Sequence, residues 1–242
     1  MKKRTKIIIG ILSVVGVAIM GFVIWALDSY GPMEEALNAL ESDENVSISQ
    51  KNDAIIFSPP SGEVNTGLIF YPGGKVEPEA YSVLARSIAE SGFFVAIVKF
   101  PLNLGFFNPG LGLKLKDQVP IQNWYIGGHS LGGSMAAKAV HDNPDAFQGL
   151  ILLAAYAADN NDISEYDIDC LVMYGDQDGV LSKNVTNTLD LLPEDADVVE
   201  IEGGNHANFG YYGKQSGDKE ATISREEQHQ ITLSNITHFM GS

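Results

Sequence analysis

The sequence predicts an α/β protein: a mostly parallel central sheet with helices on both faces, preceded by one N-terminal transmembrane helix. Three observations carry this reading. Short apolar runs alternate with helical patterns along most of the 242 residues. Several of those runs are apolar almost without a break, as strands buried on both faces must be. The chain also opens with a basic hexapeptide, "MKKRTK", followed by 21 uncharged residues, Ile7 to Leu27.

As a helix, those 21 residues span about 31 Å at roughly 1.5 Å per residue, enough for a hydrocarbon core of about 30 Å. A cleaved signal peptide has a shorter apolar run and a small-x-small cleavage site, whereas this run ends "WALDSY". A buried core helix is rarely apolar all round. The segment therefore reads as a retained single-pass anchor. The basic residues stay in the cytoplasm and the rest of the chain lies outside, at the cell membrane. The organisation expected is a cytoplasmic tail (1–6), an anchor (7–27), an acidic spacer with a short helical pattern (28–45) and one globular domain (46–242).

Element by element, "VSISQ" and "AIIFSP" form an opening pair of strands, and "TGLIFYPGG" is a strand that ends in glycines. An amphipathic helix, "EPEAYSVLARSIAESG", closes at Gly92 and leads into the buried strand "FFVAIVKF". The strand–helix order then repeats. "NWYIGG" is followed by the helix "LGGSMAAKAVHDN", then by the strands "GLILLAAYA" and "CLVMYGDQD". A helix over "LSKNVTNTLDLL", the strand "DVVEIEGGNH" and a helix from about Ser224 to Met240 complete the chain. No internal repeat or second-domain boundary is visible.

Composition narrows the partners. No acid precedes Asp28, so residues 28–242 carry 31 acidic against 11 basic residues, a net of −20. Nucleic acid and anionic lipid surfaces are poor partners for such a domain. Cys170 is the single cysteine, which excludes a disulfide framework or a cysteine-based metal site and suits a core position.

Chemistry in a parallel α/β sheet gathers at the strands' C-terminal ends, and three such loops stand out. The first, "GHSLG", sits between a strand and a helix. Small residues two before and two after a serine, here Gly128 and Gly132, let a sharp turn close and push Oγ of Ser130 out of the sheet. The alternative is a glycine-rich turn that only allows close helix–strand packing. The second loop, "YGDQDGV", offers a carboxylate to orient a histidine: Asp178 first, Asp176 next with a capping or turn role as its alternative, and Asp159 after the preceding strand third.

The third loop, "EGGNHANFG", holds His206, the one histidine of five in a glycine-rich loop at a strand end. His129 is expected to point away from the pocket, and His141, His229 and His238 to be surface or capping groups on helices. For an oxyanion, the expected N–H donors are Leu131, directly after the serine, and Gly74 in "FYPGGK", with Lys75 second. A plain turn is the alternative for that loop.

The serine, acid and histidine follow one another in the order of one particular fold. On "YPGGK", "GHSLGG", "YGDQDGV" and "GGNH" the chain resembles the α/β-hydrolase superfamily over about residues 46–242, in particular its small, lid-poor, dienelactone-hydrolase-like members. It is also similar in general look to membrane-anchored hydrolases of Gram-positive bacteria. The resemblance implies the α/β-hydrolase fold, with Ser130 as nucleophile, Asp178 as orienting acid and His206 as general base. Two departures stand out: Pro72-Gly73 replaces the His-Gly of many members, and a serine stands where dienelactone hydrolases use cysteine.

The expected activity is serine-dependent ester, or amide, cleavage through an acyl-enzyme, with no metal or organic cofactor. Eight residues, Asp159 to Tyr166, separate "AAYAA" from "DIDCL", too few for a cap. The expected pocket is therefore shallow, suited to small or polymer-attached acyl esters. "FPLNLGFFNPGLGLKL" could supply an apolar rim through Phe106 and Phe107, or simply pack on the sheet edge. Acyl transfer to a cell-wall hydroxyl, and a non-catalytic binding module on the same fold, are the competing functions.

Overall fold

The computed structural model describes residues 3–60, 64–181 and 186–241. The sheet has eight strands in the order β1-β2-β4-β3-β5-β6-β7-β8. These are β1 (Ser47–Gln50), β2 (Ala54–Ser58), β3 (Thr66–Tyr71), β4 (Phe94–Val98), β5 (Asn123–His129), β6 (Gly149–Leu153), β7 (Asp169–Gly175) and β8 (Asp197–Ile201). β1 and β2 pair antiparallel, and β2 joins β4 antiparallel; every pairing from β4 through β3 to β8 is parallel.

Alternation along the strands divides the core. Ile69 and Tyr71 of β3 enter one cluster with Trp124 and Ile126 of β5, while Leu68 and Phe70 enter the other with Tyr125. Period-two side chains give the sheet two apolar faces, and helices cover both. α3 (Ser82–Glu90) follows a 3-10 turn at Pro78–Tyr81, and α4 (Leu111–Lys116) lies in the segment after β4. α5 (Leu131–Asp142) follows β5, and α6 (Arg225–Gly241) ends the chain. Cys170 lies in the core, where burial first, then the charges of Asp169 and Asp195, push its thiol up to about 12.

One expected helix differs in type, and another buries polar side chains. The described part of "LSKNVTNTLDLL" is a 3-10 helix, Thr186–Leu191, and residues 182–185 lie outside the described ones. α6 is helical as expected, but its inward face begins with Gln228, His229 and Thr232 before reaching Ile236 and Phe239. His229, expected at the surface or as a cap, is buried against Tyr211, ring centroids 4.8 Å apart. Polar residues at those inward positions hide the helix's apolar stripe from a periodicity reading.

The apolar helix α1 spans Lys3–Leu27, and its run Ile7–Leu27 is long and apolar enough to cross a membrane. Its C-terminal end rests on the domain: Ala26 is fully buried and Lys75 Nζ lies 4.5 Å over the Trp25 ring. The next residues are tied down rather than trailing free. Tyr30 forms a parallel bridge with Val76, its N–H donating to the Lys75 carbonyl at 2.7 Å. Met33 N–H donates to the Tyr211 carbonyl at 2.7 Å, after which a short helix, α2 (Glu34–Asn38), begins.

Candidate active site

β5 runs through the middle of the sheet between β3 and β6, and Ser130 follows its last residue. The serine has φ 54° and ψ −126°, a conformation that an L residue adopts only when its surroundings enforce it. The enforcement is visible around it. Ser130 N–H donates to the Leu153 carbonyl of β6 at 2.9 Å, and its own carbonyl accepts from Ser134 N–H at 3.1 Å as α5 starts. The glycines are required by backbone proximity. A Cβ on Gly128 would lie 2.5 Å from the Tyr71 carbonyl oxygen, and one on Gly132 would run into the carbonyl oxygens of Tyr71 and Pro72.

The loops after β7 and β8 bring Asp178 and His206 together. His206 Nδ1–H donates to Asp178 Oδ2 at 2.8 Å, and neither side chain is exposed at all. A carboxylate only accepts, so this bond places the ring's proton on Nδ1 and leaves the Nε2 lone pair free to take another. Nε2 is buried and has no hydrogen-bond partner among the described residues, the hydroxyl of Ser130 included. Asp178 Oδ1 is satisfied separately by the N–H groups of Val180 and Leu181, both at 2.7 Å. Asp176 instead accepts from Gly203 N–H at 2.7 Å, tying the two loops, and Asp159 is exposed.

His129 packs against His206. Its ring centroid is 4.5 Å from that of His206, it is fully buried, and its Nδ1 pairs with the Tyr81 hydroxyl at 2.8 Å. Burial, then the neighbouring His206, hold its pKa well below the ordinary histidine value, opposed by the His206 carbonyl. Of the others, His141 is partly exposed beside Asp142 and His238 is exposed on α6.

The loop after β3 sorts its own donors. Gly73 N–H donates to the Tyr81 hydroxyl at 3.0 Å and Lys75 N–H to the Asn103 carbonyl at 2.9 Å. Lys75, the second choice for an oxyanion donor, has thus committed its N–H elsewhere. Gly74 sits between them against Leu131, whose Cδ2 would be 2.8 Å from a Cβ added there. As the first residue of α5, Leu131 has an N–H that the helix itself does not use.

Three further residues hold the site and were not legible in the sequence. Asp218 collects N–H groups from both loops: Gly179 (3.0 Å) and His206 (3.3 Å) on Oδ1, Ala207 (2.8 Å) on Oδ2. Gln228 of α6 bonds Asn205 in both directions, at 3.0 and 2.9 Å. Arg225 donates to the carbonyls of Ala207 and Gly210. All three act on backbone groups distant in sequence, which no local pattern marks. Among the described residues, no group of three or more His, Cys, Asp or Glu side chains is placed to hold a metal ion.

The model of the alpha/beta hydrolase family matches residues 67–230. The chain belongs to that family. No curated protein matches the sequence. Among solved structures, this hydrolase is similar to Est1E from Butyrivibrio proteoclasticus with ferulic acid bound: TM-score 0.62, 14% identity, 84% of this chain and 99% of that one. It is also similar to a dienelactone hydrolase from Anabaena variabilis (TM-score 0.60, 12% identity, 81% and 99%). A predicted CIB-like hydrolase from Thermoplasma acidophilum has TM-score 0.57 and 14% identity, covering 80% and 99%. At these identities the likeness is one of fold, and the hydrolase neighbours agree with the family match.

Proposed function

We propose that the chain is a serine hydrolase that cleaves ester bonds through an acyl-enzyme on Ser130, held at the cell membrane by Ile7–Leu27 with its domain outside the cytoplasm. The observation that carries this reading is the buried Asp178–His206 pair, whose unpartnered Nε2 lies in a ring packed beside the residue preceding the strained serine.

In the proposed cycle, Oγ of Ser130 bonds to the ester carbonyl carbon as its proton passes to Nε2 of His206. Asp178 keeps the ring oriented and stabilises the imidazolium. Negative charge collects on the carbonyl oxygen, where the N–H groups of Gly74 and Leu131 hold it. The ester C–O bond then breaks, and the departing alkoxide takes the proton from His206. Water attacks the acyl-enzyme, losing a proton to the same nitrogen, and the acid leaves as the proton returns to Ser130. Catalytic hydrogen bonds commonly close only with substrate bound, so the open Nε2 is the state expected before binding.

The test is turnover of p-nitrophenyl butyrate by the full chain in detergent. Ser130→Ala and His206→Ala are each expected to lose about 10³-fold or more in kcat with the fold intact by circular dichroism. A His206→Ala variant with near-normal turnover would mean that another group is the base.

A further inference from the structure

The outer end of α1 does not simply lead to the domain; it lies against the wall of the candidate site. Phe22, Trp25 and Ala26 share one helix face, at the i, i+3, i+4 spacing. Phe22 meets Phe107 with ring centroids 6.2 Å apart at 73°, and Trp25 lies under Lys75. Phe107 in turn packs on Phe106 at 4.6 Å. Both phenylalanines stay open on their remaining sides, 48% and 47% exposed. The segment carrying them borders the site directly. Asn103 accepts the Lys75 N–H beside Gly74, and a Cβ on Gly105 would sit 3.1 Å from Cγ of Met135 in α5, the helix that Ser130 starts.

Depth follows from helix geometry. Phe22 precedes Leu27 by five residues, about 7 Å along the axis. When the apolar run fills the hydrocarbon layer, Phe22 therefore lies about 7 Å inside its outer boundary with the Phe107 ring against it, and Trp25 and Lys75 lie near the headgroups, where such side chains are favoured. Raising Phe107 out of the lipid would lift the last turn and a half of the helix into water as well. Exposed aromatic residues at that depth are covered by acyl chains rather than by solvent. No cation patch is needed, and the domain's net charge of −20 favours a neutral leaflet over an anionic one.

We infer that the Phe106–Phe107 rim is embedded in the outer leaflet, and that the site draws its substrate from the bilayer: the ester of a membrane-resident acyl lipid. This rests on the hydrolase and anchor readings above. It specifies what they leave open, because an ester dissolved in water gains nothing from a rim buried in lipid, whereas an acyl lipid reaches the loop beside Ser130 without leaving the apolar phase.

The experiment uses the full chain in phosphatidylcholine vesicles with two readouts. The first is depth: fluorescence added by Phe107→Trp, after subtracting the wild-type signal, is compared in lipids brominated at shallow and deep acyl positions. Strong quenching by shallow bromines is expected; quenching by aqueous acrylamide but not by bromolipid overturns the embedding. The second is turnover by Phe106→Ser/Phe107→Ser of a fluorogenic diacylglycerol ester in the vesicles and of p-nitrophenyl butyrate in solution. At least a tenfold loss on the lipid ester is expected, with the soluble ester changed less than twofold. Equal effects on both overturn the substrate assignment, as do disulfide cross-links between copies through Phe107→Cys, which would mean that a second chain covers the rim. Absence of all turnover by the wild type counts against the hydrolase reading, while the quenching still decides the embedding.

Discussion

The two walls of the candidate site are held by different kinds of contact. On the Ser130 side, backbone meets backbone: the serine's N–H is fixed to β6, and Gly128 and Gly132 sit where the β3 loop leaves no room for a Cβ. On the His206 side, side chains from far along the chain grip backbone groups. Asp218 holds Gly179, His206 and Ala207, Gln228 holds Asn205, and Asp176 holds Gly203. The first wall can only be kept or broken, because its constraint is steric. The second can be loosened bond by bond, because each tie is separate.

The largest effect is expected on the steric wall. Gly132→Ala drives a methyl into two carbonyl oxygens that cannot yield without moving the β3 loop, at a cost of about 3 kcal/mol or more. Loss of detectable ester turnover is expected, together with a clear fall in the thermal midpoint. A fully active, equally stable variant would show that the elbow is not sterically locked.

Asp218→Asn tests the tied wall. The carboxamide cannot accept at both ends, so the N–H of Ala207 or of the Gly179–His206 pair loses its partner. The Asp178–His206 bond survives but the ring is held less firmly. We expect kcat to fall by up to about a hundredfold with little change in KM, and a stability loss of about 1–3 kcal/mol by denaturant titration. Unchanged kcat would mean that the His206 loop is positioned without this carboxylate.

A smaller, graded effect concerns the histidines buried near that wall. Burial first, then the Arg225 charge, lowers His229 to about 3, opposed by the Asn208 carbonyl; His129 is likewise depressed. Below the ordinary value of 6.5 the unfolded chain binds protons that the folded chain refuses. Stability is therefore greatest above that pH and declines as pH falls toward 3, with the unfolded state the more protonated throughout. From pH 7 to pH 5 His229 is expected to remove about 2 kcal/mol, and His129 acts in the same direction. His229→Phe should flatten the pH dependence of the denaturation midpoint by roughly one histidine's share, and an unaltered slope would contradict the assignment.

The same division explains what the sequence made legible. The elbow could be read because steric necessity writes itself locally, as glycines at fixed distances from Ser130. The parallel strands could be read because burial on both faces leaves β3, β4, β6 and β7 almost wholly apolar. Asp178 could be placed ahead of Asp176 only by its position in the loop, and the structure separates them by what each carboxylate bonds. The ties from Asp218, Gln228 and Arg225 left no signal, since an Asp or Gln in a polar stretch looks the same whether it grips a backbone or faces water. His229 was misplaced because the half of α6 that packs inward is polar. The contact between α1 and Phe107 joins residues 85 apart and follows no periodicity.

The central claim, that Ser130 is a nucleophile activated by His206, is tested most directly by intact-mass measurement of the full chain treated with a small fluorophosphonate. One adduct is predicted, mapping to the peptide that contains Ser130, absent from Ser130→Ala and formed at least a hundredfold more slowly in His206→Ala. No adduct on the wild type, or an adduct retained by Ser130→Ala, would contradict it.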